Sequence, residues 1–244
     1  MIITLFDRYK ESDLINKMWV AARTCYSANN IRDLKIEAEN LTIEEKLDLI
    51  KKVFKSGHLS IAEHISFTFG ISGISRSCSH QLVRNRIASY SQASQRYINF
   101  SDKSFDFVTP PEIDKNPELL EEYINFMNLC KEKYDKFVKA GIKAEDARFV
   151  LPNAACTNIS MTMNLRELMH VMGLRLCSRA QWEIRQVFQE MQKQTIEQYP
   201  FLKEYLQPNC EQLGFCPEGH GACGRKPKKS ELIELYKESQ KEDK

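Results

Sequence analysis

Two hydrophobic rhythms share this chain without settling into a regular order, and that irregularity limits the folds open to it. Residues 65–71, Ile-Ser-Phe-Thr-Phe-Gly-Ile, are apolar at nearly every second position, as in a half-buried strand. Pro117–Gly141 instead repeats apolar residues at helical spacing, through Leu120, Tyr123, Ile124, Met127, Cys130, Tyr134, Phe137 and Val138. The patterns predict strands over 2–6, 65–71 and 155–163. They predict helices over Asp13–Tyr26, Arg76–Arg86, Pro117–Gly141, Ala144–Val150, Asn164–Leu176 and Ala180–Tyr199. Thr42-Ile-Glu-Glu45 reads as a capping box opening a further helix, with Leu47, Ile50, Val53 and Phe54 on one face and Gly57 at its stop. Tyr97–Val108 reads as extended up to the Pro110-Pro111 break. Strands scattered among helices without repeating β-α-β spacing argue for an α+β fold with a mixed sheet flanked by helices.

A chain of 244 residues is long enough for a sizeable core. Lysines and arginines number 35 against 33 acidic residues, a net charge of only +2, so affinity for anions has to be local rather than a general basic coat. No apolar run reaches the length of a membrane span, and Met-Ile-Ile-Thr-Leu-Phe-Asp reads as a first strand, so a cytoplasmic protein is expected. Residues 1–207 read as one domain. Residues 208–244 change to Cys, Gly and Pro and then to a Lys/Glu-rich end, either a frayed helix through Leu232, Ile233 and Leu235 or disorder. There is no internal repeat, no Gly-x-Gly-x-x-Gly and no Walker-type loop. Cys25, Cys78, Cys130, Cys156 and Cys177 each sit among apolar or small residues and read as buried thiols. Cys210, Cys216, His220 and Cys223 offer four soft ligands within a short Gly-rich stretch; zinc is one reading and a loop with free thiols the other.

The most informative short segment is Gln81-Leu-Val-Arg84-Asn-Arg86-Ile-Ala-Ser-Tyr-Ser-Gln-Ala-Ser94-Gln-Arg96-Tyr97, which holds three arginines and no acid. Guanidinium forks fit phosphate and carbonyl edges, and interleaved Leu82, Val83, Ile87 and Ala88 suggest a partly packed segment rather than a solvated face. Its layout resembles the signature of the flavin-dependent thymidylate synthases, Arg-His-Arg with a Ser eight residues after the second Arg. Arg86 and Ser94 keep that spacing, while Asn85 stands where the family has His. Further segments are similar in the same order: Ala21-Ala-Arg-Thr-Cys25-Tyr26, Gly57-His58-Leu-Ser60-Ile-Ala-Glu63-His64, Glu145-Asp-Ala-Arg148, and Asn164-Leu-Arg166 through His170 to Arg175. Cys25 stands where Ser is common, and Gln92 where Glu is common.

The resemblance implies a homotetramer with active sites shared between subunits. It implies reductive methylation of dUMP to dTMP with 5,10-methylenetetrahydrofolate as one-carbon donor, FAD as flavin and NADPH as reductant. Carried over position by position, the dUMP set is Gln81, Leu82, Val83, Arg84, Gln92, Ala93, Ser94, Gln95, Arg96, Arg148 and Arg175. The FAD set is Cys25, His58, Ser60, Arg84, Asn85, Arg86, Asn164, Leu165, Arg166 and His170. Arg175 is the catalytic candidate, since positive charge on the uracil edge stabilises charge developing on the ring; a cation ending a helix also has the simpler role of meeting the macrodipole. Glu63 and Glu145 are candidates for orienting arginines. Two other functions stay open: a flavin- and nucleotide-binding protein impaired in catalysis, suggested by Asn85, and a zinc-containing nucleic-acid module built on Arg84–Arg96 and the cysteine tail. Near-neutral charge and few aromatics beside the arginines weigh against nucleic acid.

Overall fold

A computed structural model of the chain describes residues 1–100, 105–219 and 221–242, with side chains in the last helix described to residue 238. In chain order the elements are β1 (Ile2–Leu5), α1 (Glu11–Thr24), α2 (Ile31–Asn40), α3 (Ile43–Lys55), β2 (Ser66–Ser75), α4 (Arg76–Leu82) and β3 (Ala88–Gln92). They continue with α5 (Pro111–Asp114), α6 (Pro117–Lys139), α7 (Ala144–Ala147), β4 (Cys156–Asn164), α8 (Leu165–Arg175), α9 (Trp182–Gln198), α10 (Asn209–Leu213) and α11 (Lys229–Glu242). Short 3-10 turns occupy Leu59–His64, Arg148–Val150 and Pro200–Leu202. The four strands form one sheet in the order β1-β2-β4-β3. The α+β class is as expected, but the sheet is antiparallel, not mixed. The reason lies in the connections: α1, α2 and α3 pack on one another instead of serving as the crossover that adjacent parallel strands need.

The chain divides into two compact units, one of Met1–Thr4 with Phe69–Met161 and one of Leu5–Thr68 with Thr162–Lys244. The first has Phe69, Ile71 and Ile74 of β2, Ile159 and Met161 of β4, and Cys78 and Leu82 of α4 in its core. Gly73 adopts φ +71°, inside a strand, and a Cβ there would stand 3.3 Å from the Met1 nitrogen. Burial alternates up to Ile71 and then shifts phase, so that Ile74 and Ser75 are both buried. A left-handed residue inside a strand re-aims the chain beyond it, and only glycine takes that conformation without strain. Ser75 then caps α4 by accepting from the Cys78 N–H at 3.0 Å. Arg76–Leu82 is shorter than the expected Arg76–Arg86 because Tyr90 donates its hydroxyl to the Leu82 carbonyl at 2.9 Å and to the Asn85 carbonyl at 2.8 Å, fixing a turn. β3 comes next, where no strand was expected; the extended reading of 97–108 falls partly outside the described residues.

The second unit is mostly helical. The capping box forms as expected: Glu45 N–H donates to Thr42 Oγ1 at 3.2 Å, and Thr42 N–H to the Glu45 carboxylate at 2.9 Å. α2 escaped the periodicity because only Leu34 and Ala38 of its ten residues are buried; Asn30 caps it through the Asp33 N–H at 3.0 Å. Lys46 is almost fully buried and binds Asn16 Oδ1 at 2.8 Å and the Ala38 carbonyl at 2.9 Å, tying α3 to α1 and α2. α8 buries Leu168, Val171 and Met172; of the apolar residues 182, 184, 187, 188 and 191 that helical spacing assigns to the core in α9, Ile184, Val187, Phe188 and Met191 are buried, while Trp182 at the helix start is half-buried. The charged end, open between two readings, forms α11.

Candidate active site

The first unit carries most of the nucleotide candidates. Leu82 is fully buried, so it can offer only backbone; Gln81 is half-buried, and Val83, Arg84 and Arg86 are exposed. Asn85 turns inward and donates its amide to the Leu82 carbonyl at 2.9 Å, closing the end of α4. Arg84 and Arg86 form no ion pair with any described carboxylate. Gln92 Nε2 lies 3.3 Å from Thr157 Oγ1, and the Ala93 N–H donates to the Asn158 carbonyl at 2.9 Å. Ser94 Oγ accepts from the Arg96 N–H at 3.2 Å and so helps to make the turn after β3. Ala93 and Gln95 line a cavity of about 390 Å³ together with Asp106, Thr157 and Asn158. That volume lies in the range of small-molecule sites.

Glu145 gathers two of the arginines. Its carboxylate accepts from Arg96 Nε at 2.7 Å, while its backbone carbonyl accepts from Arg148 Nε at 3.0 Å. The sequence makes Glu145 a candidate for orienting arginines without singling one out, and Arg96 is the one its carboxylate meets. Arg96 also lies 5.2 Å from the centre of the Tyr97 ring. The sequence reading passed over Arg76, which opens α4. Burial, and then the like charge of Arg148, push its guanidinium below the ordinary value. A signal was there: α4 has an arginine as its first residue and no acid in its first turn, an arrangement the macrodipole disfavours. Of these three guanidiniums only that of Arg96 meets the Glu145 carboxylate, which leaves positive charge for an anion.

The second unit carries the remaining candidates. Packing of the 3-10 turn at Leu59–His64 on α8 brings Ser60 and Glu63 near that helix, and Arg166 forms an ion pair with Glu63. His58, Ser60, Arg166 and His170 are exposed; Arg166 and His170, four residues apart, share a face of α8. Asn164 caps α8 by accepting from the Glu167 N–H at 2.9 Å. Leu165 is buried, its N–H donating to the Ile65 carbonyl at 2.7 Å. Cys25 is exposed, not buried as expected, because α1 ends one residue before it. Of the five thiols read as core only Cys78 is buried, while Cys130, Cys156 and Cys177 are half-buried at element ends or partly covered faces.

Arg175 is the last residue of α8, and its Nε is buried without a hydrogen-bond partner among the described residues. Arg23 Nε, in the segment before Cys25, is in the same state. A buried donor left unpaired costs about 1–3 kcal/mol, so such a group in a folded protein is usually there for a ligand or water. In the tail, His220 lies outside the described residues. Among those described, no three His, Cys, Asp or Glu side chains stand so as to hold a metal ion. No described helix is long and apolar enough to cross a membrane.

Comparison with known proteins adds a second line of observation. The family model described as "Thymidylate synthase complementing protein" matches residues 5–201. The chain is 45% identical over 219 residues to a flavin-dependent thymidylate synthase of Geobacter sulfurreducens, covering 90% of this chain and 91% of the relative. It is 52% identical over 176 residues to the one of Thermococcus kodakarensis, covering 70% and 72%. With that of Clostridium tetani it shares 40% over 232 residues, covering 88% and 90%. The match begins within the first strand and runs through α9, spanning every segment that carries the arginines above, so this chain belongs to the thymidylate synthase complementing protein family.

Proposed function

We propose that the chain is a flavin-dependent thymidylate synthase that converts dUMP to dTMP by reductive methylation. Its one-carbon donor is 5,10-methylenetetrahydrofolate, its flavin is FAD and its reductant is NADPH. The observation that carries this reading is the gathering of Arg96 and Arg148 on Glu145 with Arg76 close to Arg148, next to the cavity that Gln95 lines. A phosphate dianion rewards permanently charged forked donors, and here they are already held. Gln81, Gln92, Ala93, Ser94 and Gln95 would contact sugar and base, with Leu82 contributing backbone alone and Val83 and Arg84 completing the set.

Arg175 would face the uracil. Its buried Nε has no hydrogen-bond acceptor among the described residues. A guanidinium on the carbonyl edge favours ionisation of ring N3 and stabilises negative charge as C5 becomes nucleophilic. No cysteine nucleophile is needed for that: Cys78 is buried in the core. Ser94, engaged with the Arg96 backbone, binds rather than attacks.

The flavin fits the residues present. Arg84 and Arg86 have no carboxylate partner among the described residues and can grip a pyrophosphate, with Ser60, Arg166 and His170 for the polar edges of the cofactor. Asn164 and the Leu165 backbone would close that set, together with His58 and Cys25. Bound reduced FAD supplies the hydride. We assign residues 1–207 to the family domain and 208–244 to an appended segment, in a cytoplasmic homotetramer whose subunits share sites.

A product assay with dUMP, methylenetetrahydrofolate, FAD and NADPH tests the reading. Formation of dTMP is expected, together with a flavin spectrum that shifts upon adding dUMP. Flavin and dUMP binding without product would favour the impaired-protein alternative. A colourless protein that retards oligonucleotides would overturn both.

A further inference from the structure

Several donors converge on one backbone carbonyl where α4 ends. The Leu82 carbonyl accepts from the Asn85 N–H at 3.2 Å and from Asn85 Nδ2 at 2.9 Å, and the Tyr90 hydroxyl lies 2.9 Å away. That hydroxyl also stands 2.8 Å from the Asn85 carbonyl. A phenol carries a single proton, so Tyr90 serves one of the two carbonyls at a time. While it serves Asn85, the Asn85 amide keeps Leu82 satisfied. Asn85 thus commits its N–H, its amide nitrogen and its carbonyl to the turn. The backbone bond closes that turn with Val83 and Arg84 at its centre, and Arg86 follows directly. Leu82, fully buried, anchors one end. Arg84 and Arg86 are exposed and meet no described carboxylate, so the backbone of the turn is what aims them.

We propose that Asn85 is a positioning residue for the flavin site, acting through this turn and not by touching the cofactor. The proposal rests on the assignment of Arg84 and Arg86 to the flavin pyrophosphate. A guanidinium fork binds phosphate best when both of its donors are aligned. A loose turn would lose part of that binding to ordering the loop, whereas a locked one is ordered already when the chain folds. The residue type suits the task. An amide donates to a carbonyl without carrying charge, so it closes the turn and leaves the positive charge of its two neighbours undiminished. A carboxylate in its place would face the Leu82 oxygen as a second acceptor and would neutralise the arginines on either side. The resemblance places Asn85 among the flavin contacts; in the fold its amide nitrogen faces Leu82.

Titration of the full-length apoprotein with FAD, followed by flavin fluorescence, tests the lock together with a double-mutant cycle on stability. Asn85→Ala should raise the Kd for FAD roughly two- to tenfold, the worth of one neutral hydrogen bond. Asn85→Ser removes the amide but returns a hydroxyl able to reach the carbonyl three residues back, so its Kd should stay within about twofold of the parent's. Tyr90→Phe should weaken FAD binding by a factor similar to that of Asn85→Ala. In urea unfolding without any ligand, the double variant N85A/Y90F should lose more than the sum of the single losses, because each donor covers for the other. An Asn85→Ser chain as poor as Asn85→Ala would overturn the proposal, since the amide itself would then meet the flavin. So would an Asn85→Ala chain of parental affinity, or additive losses in the cycle. Neither measurement needs folate or product. A parent chain that binds FAD but forms no dTMP, with the cycle coupled, would sink the proposed reaction and support the lock.

Discussion

Glu145 meets its two arginines through different atoms, and the difference has consequences. Arg96 depends on the carboxylate, whereas Arg148 is held by the backbone carbonyl and keeps its place if the side chain is removed. A charge-assisted hydrogen bond contributes about 1.5–3 kcal/mol, so Arg148→Ala should raise the KM for dUMP roughly ten- to hundredfold with a smaller change in kcat. Arg175→Ala should act oppositely, lowering kcat roughly a hundredfold or more while flavin content stays near native. Steady-state kinetics with flavin absorbance check both, and equal losses of kcat and flavin in the second variant would mark Arg175 as structural. Arg84, Arg86 and Arg96 were legible in the sequence because three cations without an acid stand out along the chain. Arg76 left only the faint mark of a cation opening a helix without an acid, since its meaning comes from Arg148, which is remote in sequence. Nor could the sequence reveal that Asn85 spends its amide on Leu82, a contact set by a turn that Tyr90 holds from across the segment.

At the scale of elements, ends were easier to read than weakly periodic interiors. α3 was announced by its capping box, and the structure forms both reciprocal hydrogen bonds. The Thr42 backbone N–H and then its hydroxyl hold the Glu45 carboxyl below its ordinary value. A depressed folded value means that this stabilisation is complete above the unfolded carboxyl's range and disappears as pH falls through the folded value. Thr42→Ala should therefore lower Tm by roughly 2–4 °C near neutral pH. The difference from the parent should narrow in acid; thermal unfolding followed by circular dichroism at several pH values measures it. α2 and β3 were invisible for opposite reasons. α2 buries too few residues to print a pattern, and β3, Ala-Ser-Tyr-Ser-Gln, has no residue in the buried class. The sheet's pairing was also beyond reach, because hydrophobic alternation marks a strand's faces and not the direction of its neighbours.

At the scale of the whole molecule, α6 leaves apolar surface that a single chain does not cover. Only Met127 and Tyr134 are buried along its 23 residues. Leu119, Phe126, Leu129 and Phe137 are exposed, at 48%, 54%, 45% and 38%, and their spacing puts them along one side of the helix. Such a stripe marks an interaction surface more often than a solvated one, and it accords with the proposed four-chain assembly. Phe126→Asp should shift the particle to a smaller sedimenting species at micromolar concentration, with secondary structure kept; an unchanged sedimentation coefficient would remove this face from the assembly. The phase shift at Gly73 reaches further than its own strand. Every arginine from 76 to 96 is laid down by chain that has already passed that backbone kink, so a side chain at 73 would misdirect them as well as intrude on the cavity that Gly73 lines beside Gln95. A functional screen that scores only lost turnover would then record one defect at Gly73 where two causes act, a rudder turned and a hold made smaller.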